Sequence, residues 1–288
     1  MLHRPLSPIS TDGADAETLF LGRYFARTGY AGPVAPTMAV LRAVHAAHLA
    51  AIPFEAIDVL VDSHVDIGAE AIEDKLIARG RGGYCFEQNG LFLRVLRAIG
   101  FDAEGLLGRV RWMLPESAPP SPRTHMALRV RIDGRPWLVD VGFGSAVPPA
   151  PLAMDSEAPQ ATAHERYRVA RRGAQWSVRA DIAGEWMPLY VLDDIVPPAI
   201  DYDVGNWYTA THPASHFRHL LVAARTTPQR RYALRGNRLT VRHADGTSEQ
   251  RHLGADAIED ALRDLFLLPV DPRWRPAIER AATAEVAA

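Results

Sequence analysis

The chain has 288 residues, 48% of them hydrophobic and 23% charged, with a formal net charge of -2 at pH 7. This is the composition of a soluble globular protein with room for two or three domains. It gives no global attraction for nucleic acid or an anionic membrane, and no stretch of 18 apolar residues is present to span a bilayer.

The single cysteine, Cys85, excludes an intramolecular disulfide and a cysteine-based zinc cluster. Residues 1–15 are polar and contain proline, without the apolar core of a signal peptide. A reducing, cytoplasmic setting is the expectation. Lys75 is the only lysine, which reads as coding bias without functional weight.

Helical patterns come first. Leu19, Phe20, Leu21, Tyr24 and Phe25 mark a helix over residues 15–26. Pro36 and Thr37 open a second, which runs to about Ala50 and is stopped by Pro53. A third segment, 69–78, leads to a glycine-rich turn at Gly80, Gly82 and Gly83. The next helix starts near Cys85, with Phe86, Phe92, Leu93, Leu96 and Ile99 close to helical spacing and Gly100 as its stop.

From about Phe101 the pattern changes to short strands, at 129–132, 137–139, 167–169 and 176–178. Residues 114–122 form a proline-rich loop, and 197–201 read as a linker. A hairpin over 232–242, turning at Gly236-Asn237, and a helix over 255–267 complete the chain. The order is a helical domain, a β domain and a smaller mixed domain.

In Arg81-Gly82-Gly83-Tyr84-Cys85-Phe86-Glu87, two glycines allow a sharp turn into a helix. A cysteine in the first turn of that helix feels the positive end of its dipole, where a thiolate is favoured. The alternative is a buried structural cysteine, and residues elsewhere in the chain must decide.

Eleven histidines are present, so rarity does not single out a partner. Strand register does. Asp133-Gly134 is a two-residue hairpin turn. With these as the loop, Ile132 faces Arg135, Val130 faces Trp137, Leu128 faces Val139 and Met126 faces Val141. That apolar face points to a core. The other face carries His125, Ala127, Arg129 and Arg131 across from Gly142, Asp140, Leu138 and Pro136. His125 and Asp140 are then diagonal neighbours, about 7–8 Å apart at Cα, close enough for an imidazole–carboxylate hydrogen bond. Pro136 falls at a non-hydrogen-bonded position, where its missing N–H costs no ladder bond. A one-residue slip would separate the two, but it would also expose Leu128, Val130 and Trp137. A cysteine at a helix start, a histidine to take its proton and an aspartate to orient the histidine make a nucleophilic triad. Hydrolases and acyltransferases share this arrangement, so the acyl acceptor stays open.

Five motifs stand in order along the first half of the chain. They are Tyr30-Ala31-Gly32-Pro33, His48-Leu49-Ala50-Ala51-Ile52-Pro53-Phe54-Glu55, Arg81-Gly82-Gly83-Tyr84-Cys85-Phe86-Glu87-Gln88-Asn89, Thr124-His125-Met126, and Asp140-Val141-Gly142-Phe143-Gly144. In these the chain resembles the arylamine N-acetyltransferases, in their bacterial form. Later resemblance is weaker and is best over 206–217. Ala56 departs from the asparagine that many members carry, a change that touches local packing.

The resemblance implies an α+β multidomain fold around a cysteine-protease-like catalytic core. Its parts would be a helical bundle over 1–100 carrying the nucleophile, a β-barrel over 101–200 carrying His and Asp, and an α/β lid over 201–288. It implies that Cys85 carries an acetyl group, that His125 is the base and that Asp140 orients it. Acetyl-CoA would be the donor and an amine or hydrazine the acceptor, with no metal. Thr124, Gly142, Phe143 and Gly144 would meet CoA, and Phe54, Phe143 and Phe217 would line the acceptor pocket. Arg81 and Glu87 read as structural support. No nucleic-acid or membrane partner is expected, and a homodimer is a possible assembly. The rival readings are a cysteine amidase or protease, an amide synthase on the same fold, and a non-enzymatic binding module.

Overall fold

The computed structural model describes residues 11–284, so the N-terminal stretch read above lies outside the described residues up to Ser10. The first part is helical: α1 (Thr11–Thr28), α2 (Met38–Ala51), the short strand β1 (Phe54–Glu55), α3 (Ile57–Leu60), α4 (Ala69–Glu73) and α5 (Cys85–Ile99). A π-helical turn, Asp74–Ala78, extends α4. Thr37 Oγ1 accepts Val40 N–H at 3.3 Å to start α2, a cap worth about 1 kcal/mol. Phe92, Val95 and Leu96 of α5 share one core with Phe20 and Tyr24 of α1 and with Leu41 and Val44 of α2. Each such fully buried side chain contributes roughly 1.5–3 kcal/mol.

A seven-stranded antiparallel sheet follows: β2 (Asp102–Val110), β3 (Arg123–Ile132), β4 (Arg135–Val139), β5 (Leu152–Ala153), β6 (Tyr167–Arg172), β7 (Gln175–Ile182) and β8 (Glu185–Asp193). Its order is β5-β4-β3-β2-β8-β7-β6. Gln160 nearly closes it into a barrel. The Gln160 backbone exchanges hydrogen bonds of 2.8 and 2.9 Å with Tyr167 of β6. Its side-chain amide does the same with the backbone of Ala153 of β5, at 2.7 and 2.8 Å. One residue thereby covers two sheet edges that would otherwise be open.

The expected β3–β4 register is present: Ile132 faces Arg135, Val130 faces Trp137 and Leu128 faces Val139. Asp133 and Gly134 both have positive φ, 51° and 75°, as a type I′ turn requires. Two expectations are corrected. The ladder does not continue to Met126 and Val141. The Asn89 side chain enters there from α5, giving Nδ2–H to Met126 O at 2.8 Å and accepting Val141 N–H on Oδ1 at 3.1 Å. Nor is only one face of the hairpin buried. Leu128 and Val130 pack on the helices, while Ala127 and Leu138 fill the barrel interior.

The rest of the chain forms α6 (Ala199–Thr211), β9 (Val222–Thr226), β10 (Arg230–Arg235), β11 (Arg238–His243), β12 (Ser248–His252), α7 (Ala255–Asp264) and α8 (Arg275–Thr283). These strands make a second sheet in which β1, from the helical region, is the edge partner of β9. The linker reading of 197–201 is corrected, because Pro198 caps α6 and Ala199 begins it. The helix hid from pattern reading because its polarity is inverted: Asn206 and Thr209 are buried, while Ile200, Val204 and Trp207 are exposed. Among the described residues, no helix is long and apolar enough to cross a membrane.

Candidate active site

Cys85 opens α5 at the end of a turn strapped to β1. Glu55 N–H donates to Gly83 O at 3.1 Å, and Gly83 N–H to Pro53 O at 3.4 Å. Glycine is required at position 82, where a Cβ would stand 2.2 Å from Pro53 O. Glu87, the third residue of α5, folds back to accept Tyr84 N–H on Oε2 at 3.0 Å. This satisfies a helix-start donor from the side-chain side. Its other oxygen takes Lys75 Nζ at 2.6 Å.

The pairing continues behind the helix start. Lys75 also meets Asp58 at 2.7 Å, and Arg81 meets Asp58 at 2.9 Å and Glu55 at 2.7 Å. Burial would lower the pKa values of Lys75 and Arg81, but the surrounding carboxylates override it and raise both. Glu87 and Arg81 are therefore buried supports of the helix start. The reading of Lys75 as mere coding bias is corrected, since the only lysine lies at the centre of this network. A cavity of about 330 Å³ lies against it, lined by Asp58, Lys75, Arg81, Glu87 and Trp274 among others, and reaches none of Cys85, His125 and Asp140.

The histidine arrives from β3, whose pairing with β2 skips Thr124: Gly108 faces His125 and Arg109 faces Arg123. The bulge leaves the Thr124 carbonyl free, and Cys85 Sγ donates to it at 3.4 Å. His125 Nε2 meets Asp140 Oδ2 at 2.8 Å. Nδ1 is then the ring nitrogen left for the sulfur, and Cys85 is near enough to this imidazole to favour its protonated form. His125 is 2% exposed, Asp140 0% and Cys85 5%. Burial alone would lower the His125 pKa, but the Asp140 carboxylate, followed by Cys85, pushes it up to about 10. Burial works against ionised Asp140 as well. His125, Asn89 and the Gly142 N–H together hold its pKa below the usual carboxylate range.

Three supports of Asp140 and His125 were not picked out by sequence reading. Asn89 Nδ2 donates to Asp140 Oδ1 at 3.0 Å, one helical turn after Cys85; that i, i+4 spacing was the available signal. His45, whose pKa burial lowers to about 4, is neutral and gives its Nε2–H to the Asp140 main-chain oxygen at 3.0 Å. Tyr190 of β8 stacks at a tilt on His125 with centroids 4.5 Å apart, and Phe143 meets the imidazole edge-on at 5.0 Å.

The other expected residues gather nearby. Phe54 and Phe217 are in ring contact at 6.0 Å, and a Cβ on Gly144 would touch the Phe54 ring at 3.5 Å. Gly142 makes its close approach to α5 itself: a Cβ there would lie 2.7 Å from both Cys85 Cα and Asn89 Nδ2. Gly142→Ala is therefore expected to displace sulfur from imidazole and lower kcat/KM by about 100-fold. Circular dichroism should remain that of folded protein. Unchanged kinetics would show that the turn yields without moving Cys85. Among the described residues, no cluster of histidine, cysteine and carboxylate side chains could hold a metal ion.

A thiol at a helix start, beside an imidazole backed by a buried carboxylate, is an arrangement in which the imidazole can take the thiol proton. A family model described as N-acetyltransferase matches residues 37–275. The arylamine N-acetyltransferase of Mycolicibacterium smegmatis is 43% identical over 250 residues, 85% of this chain and 90% of that protein. A Salmonella typhimurium relative, an arylamine N-acetyltransferase / N-hydroxyarylamine O-acetyltransferase, is 43% identical over 211 residues, 73% of this chain and 74% of its own. The structure of Mycobacterium marinum arylamine N-acetyltransferase in complex with CoA matches with a TM-score of 0.85 at 40% identity, covering 91% of this chain and 98% of that one. The chain belongs to the arylamine N-acetyltransferase family, a family of transferases.

Proposed function

We propose that the protein moves an acetyl group from acetyl-CoA to the nitrogen of arylamines, arylhydroxylamines or hydrazines, with Cys85 as the carrier. The observation that carries this reading is the only sulfhydryl of the chain held at a helix start beside the Asp140-backed imidazole of His125. An imidazolium at that position favours the thiolate, the attacking form of sulfur.

In the first half-reaction the Cys85 sulfur attacks the thioester carbonyl. Its C–S bond forms, the bond to CoA breaks, and the CoA sulfur leaves with the proton held on His125. In the second, the amine nitrogen attacks acetyl-Cys85, its proton passes to His125, and the Cys85 sulfur departs. The order is ping-pong. The Cys85 N–H, in the first turn of α5, has no helical acceptor and is suited to receive the developing oxyanion. Thr124, Phe143 and Gly144 are the contacts offered to CoA, with Gly142 shaping the turn. Phe54, Phe143 and Phe217 offer aromatic surface to the acceptor ring. The CoA complex of the M. marinum relative supports the donor, and the names of the relatives support the acceptors. On the same reading the protein works in the cytoplasm without a metal, on a cysteine-protease-like core, and its domains divide near residues 100 and 200.

The test is intact-mass analysis after incubation with acetyl-CoA. One acetyl group should appear on the wild-type protein and none on Cys85→Ala. An aniline or hydrazide should discharge it faster than water. No adduct would overturn the proposal, and discharge by water at the same rate would favour the amidase alternative.

A further inference from the structure

Four buried charges and the half-buried Asp58 stand behind the nucleophile: Glu55, Asp58 and Glu87 against Lys75 and Arg81. Three carboxylates face two cations; burial raises the pKa of Glu87, and the Lys75 ammonium beside it opposes that rise by favouring the carboxylate. Glu87 is two residues from the sulfur and cannot be dispensed with, because it holds the Tyr84 N–H that starts α5. A bare carboxylate in the first turn would work against a thiolate in the same turn. Lys75, reaching from the π-helical turn with Nζ 2.6 Å from Glu87 and 2.7 Å from Asp58, is among the described residues the one cation in contact with that carboxylate.

We propose that Lys75 is a positioning residue for the transfer reaction, neutralising the Glu87 cap so that α5 is held in place without opposing the charge of the Cys85 thiolate. The inference rests on Cys85 being the nucleophile. Other charged groups near the pair keep their places: Glu55 from β1, Asp58 from α3 and Arg81 from the glycine turn. His64, Asp66, Arg79 and Arg273 also line the adjoining cavity. His125 and Asp140 stand on the barrel side of the sulfur.

The measurement is the rate of Cys85 alkylation by iodoacetamide against pH, which has only one thiol to report. Lys75→Met should raise the midpoint of that profile by about one pH unit, close to tenfold less thiolate below it. Glu87→Gln keeps an oxygen for the Tyr84 N–H, removes the negative charge, and should move the midpoint the other way. In Lys75→Met/Glu87→Gln the two effects should cancel, bringing the profile back to within about twofold of wild type at any pH. A purely structural pair would alter melting temperature in the single variants and leave all midpoints superimposed. If Lys75→Met does not fold, Glu87→Gln and the double variant still decide. A Glu87→Gln midpoint that stays in place or rises overturns the proposal. A wild-type protein that forms no acetyl adduct would instead remove the transfer reading, whereas a normal adduct with superimposed midpoints removes only the role of Lys75.

Discussion

Asp140→Asn is expected to lower acetyl transfer by roughly 10³–10⁴-fold in a protein that still folds. The reason lies in the two sides of the carboxylate. Oδ1 receives two donors, Asn89 Nδ2 at 3.0 Å and Gly142 N–H at 2.8 Å. An asparagine must turn its carbonyl oxygen to that side, since an amide NH2 there would face two further donors. The NH2 is then left toward His125 Nε2 and can only donate to it. Nε2 becomes an acceptor, the ring proton moves to Nδ1, and the nitrogen facing the sulfur can no longer take the thiol proton. Side-chain volume and the Asn89 and Gly142 contacts are preserved, so stability should change little. Asp140→Ala makes the contrast. It leaves those two buried donors unsatisfied, at about 1–3 kcal/mol each, and should lose activity and stability together. Steady-state kinetics and urea denaturation of both variants separate the cases. An Asp140→Asn protein within tenfold of wild type would show that the carboxylate does not set the tautomer.

The parts of this site that could be read from sequence are those set by short-range periodicity. Asp133-Gly134 fixes a two-residue turn, the alternation of Leu128, Val130 and Trp137 fixes the register, and His125 and Asp140 follow. The glycines before Cys85 mark a helix start in the same local way. What could not be read depends on side chains that cross between elements. Asn89 takes the place of a ladder rung between Met126 and Val141, a substitution that no strand pattern announces. Tyr190 was hidden because Pro188 breaks the strand pattern of β8. In the barrel Arg179 faces Pro188 and Val178 faces Tyr190, so the proline sits at a bulge where its missing N–H is tolerated. His45 and His48 show why histidine count was uninformative. Both are fully buried, and burial lowers their pKa values to about 4 and about 3, so they serve as neutral hydrogen-bonding groups of the core. Lys75 was misread for a similar reason, since composition cannot reveal that the only lysine meets two carboxylates.

Those buried charges give the second large expectation. Arg81→Met should cost about 3–5 kcal/mol of stability, because it breaks a buried ion pair from one side. Glu55 is wholly buried and accepts Arg81 Nε–H at 2.9 Å and Nη2–H at 2.7 Å on one oxygen. Its other oxygen accepts Ile57 N–H at 2.7 Å, so the carboxylate cannot swing to solvent without undoing the start of α3. Asp58 would lose the same guanidinium and keep only Lys75. Methionine restores much of the arginine's length but none of its charge, so the loss measures the stranded carboxylates more than missing volume. Adding Glu55→Gln should recover most of it, since a neutral amide can still accept the Ile57 N–H. The damage should also reach Cys85, because Glu55 N–H holds Gly83 O and with it the turn into α5. The Arg81→Met protein that remains folded should therefore alkylate Cys85 more slowly than wild type, and the double variant should regain part of that rate. Urea denaturation of the two variants provides the check. A loss below about 1 kcal/mol in Arg81→Met would mean that water reaches Glu55, and that this pair contributes no more than a surface ion pair does.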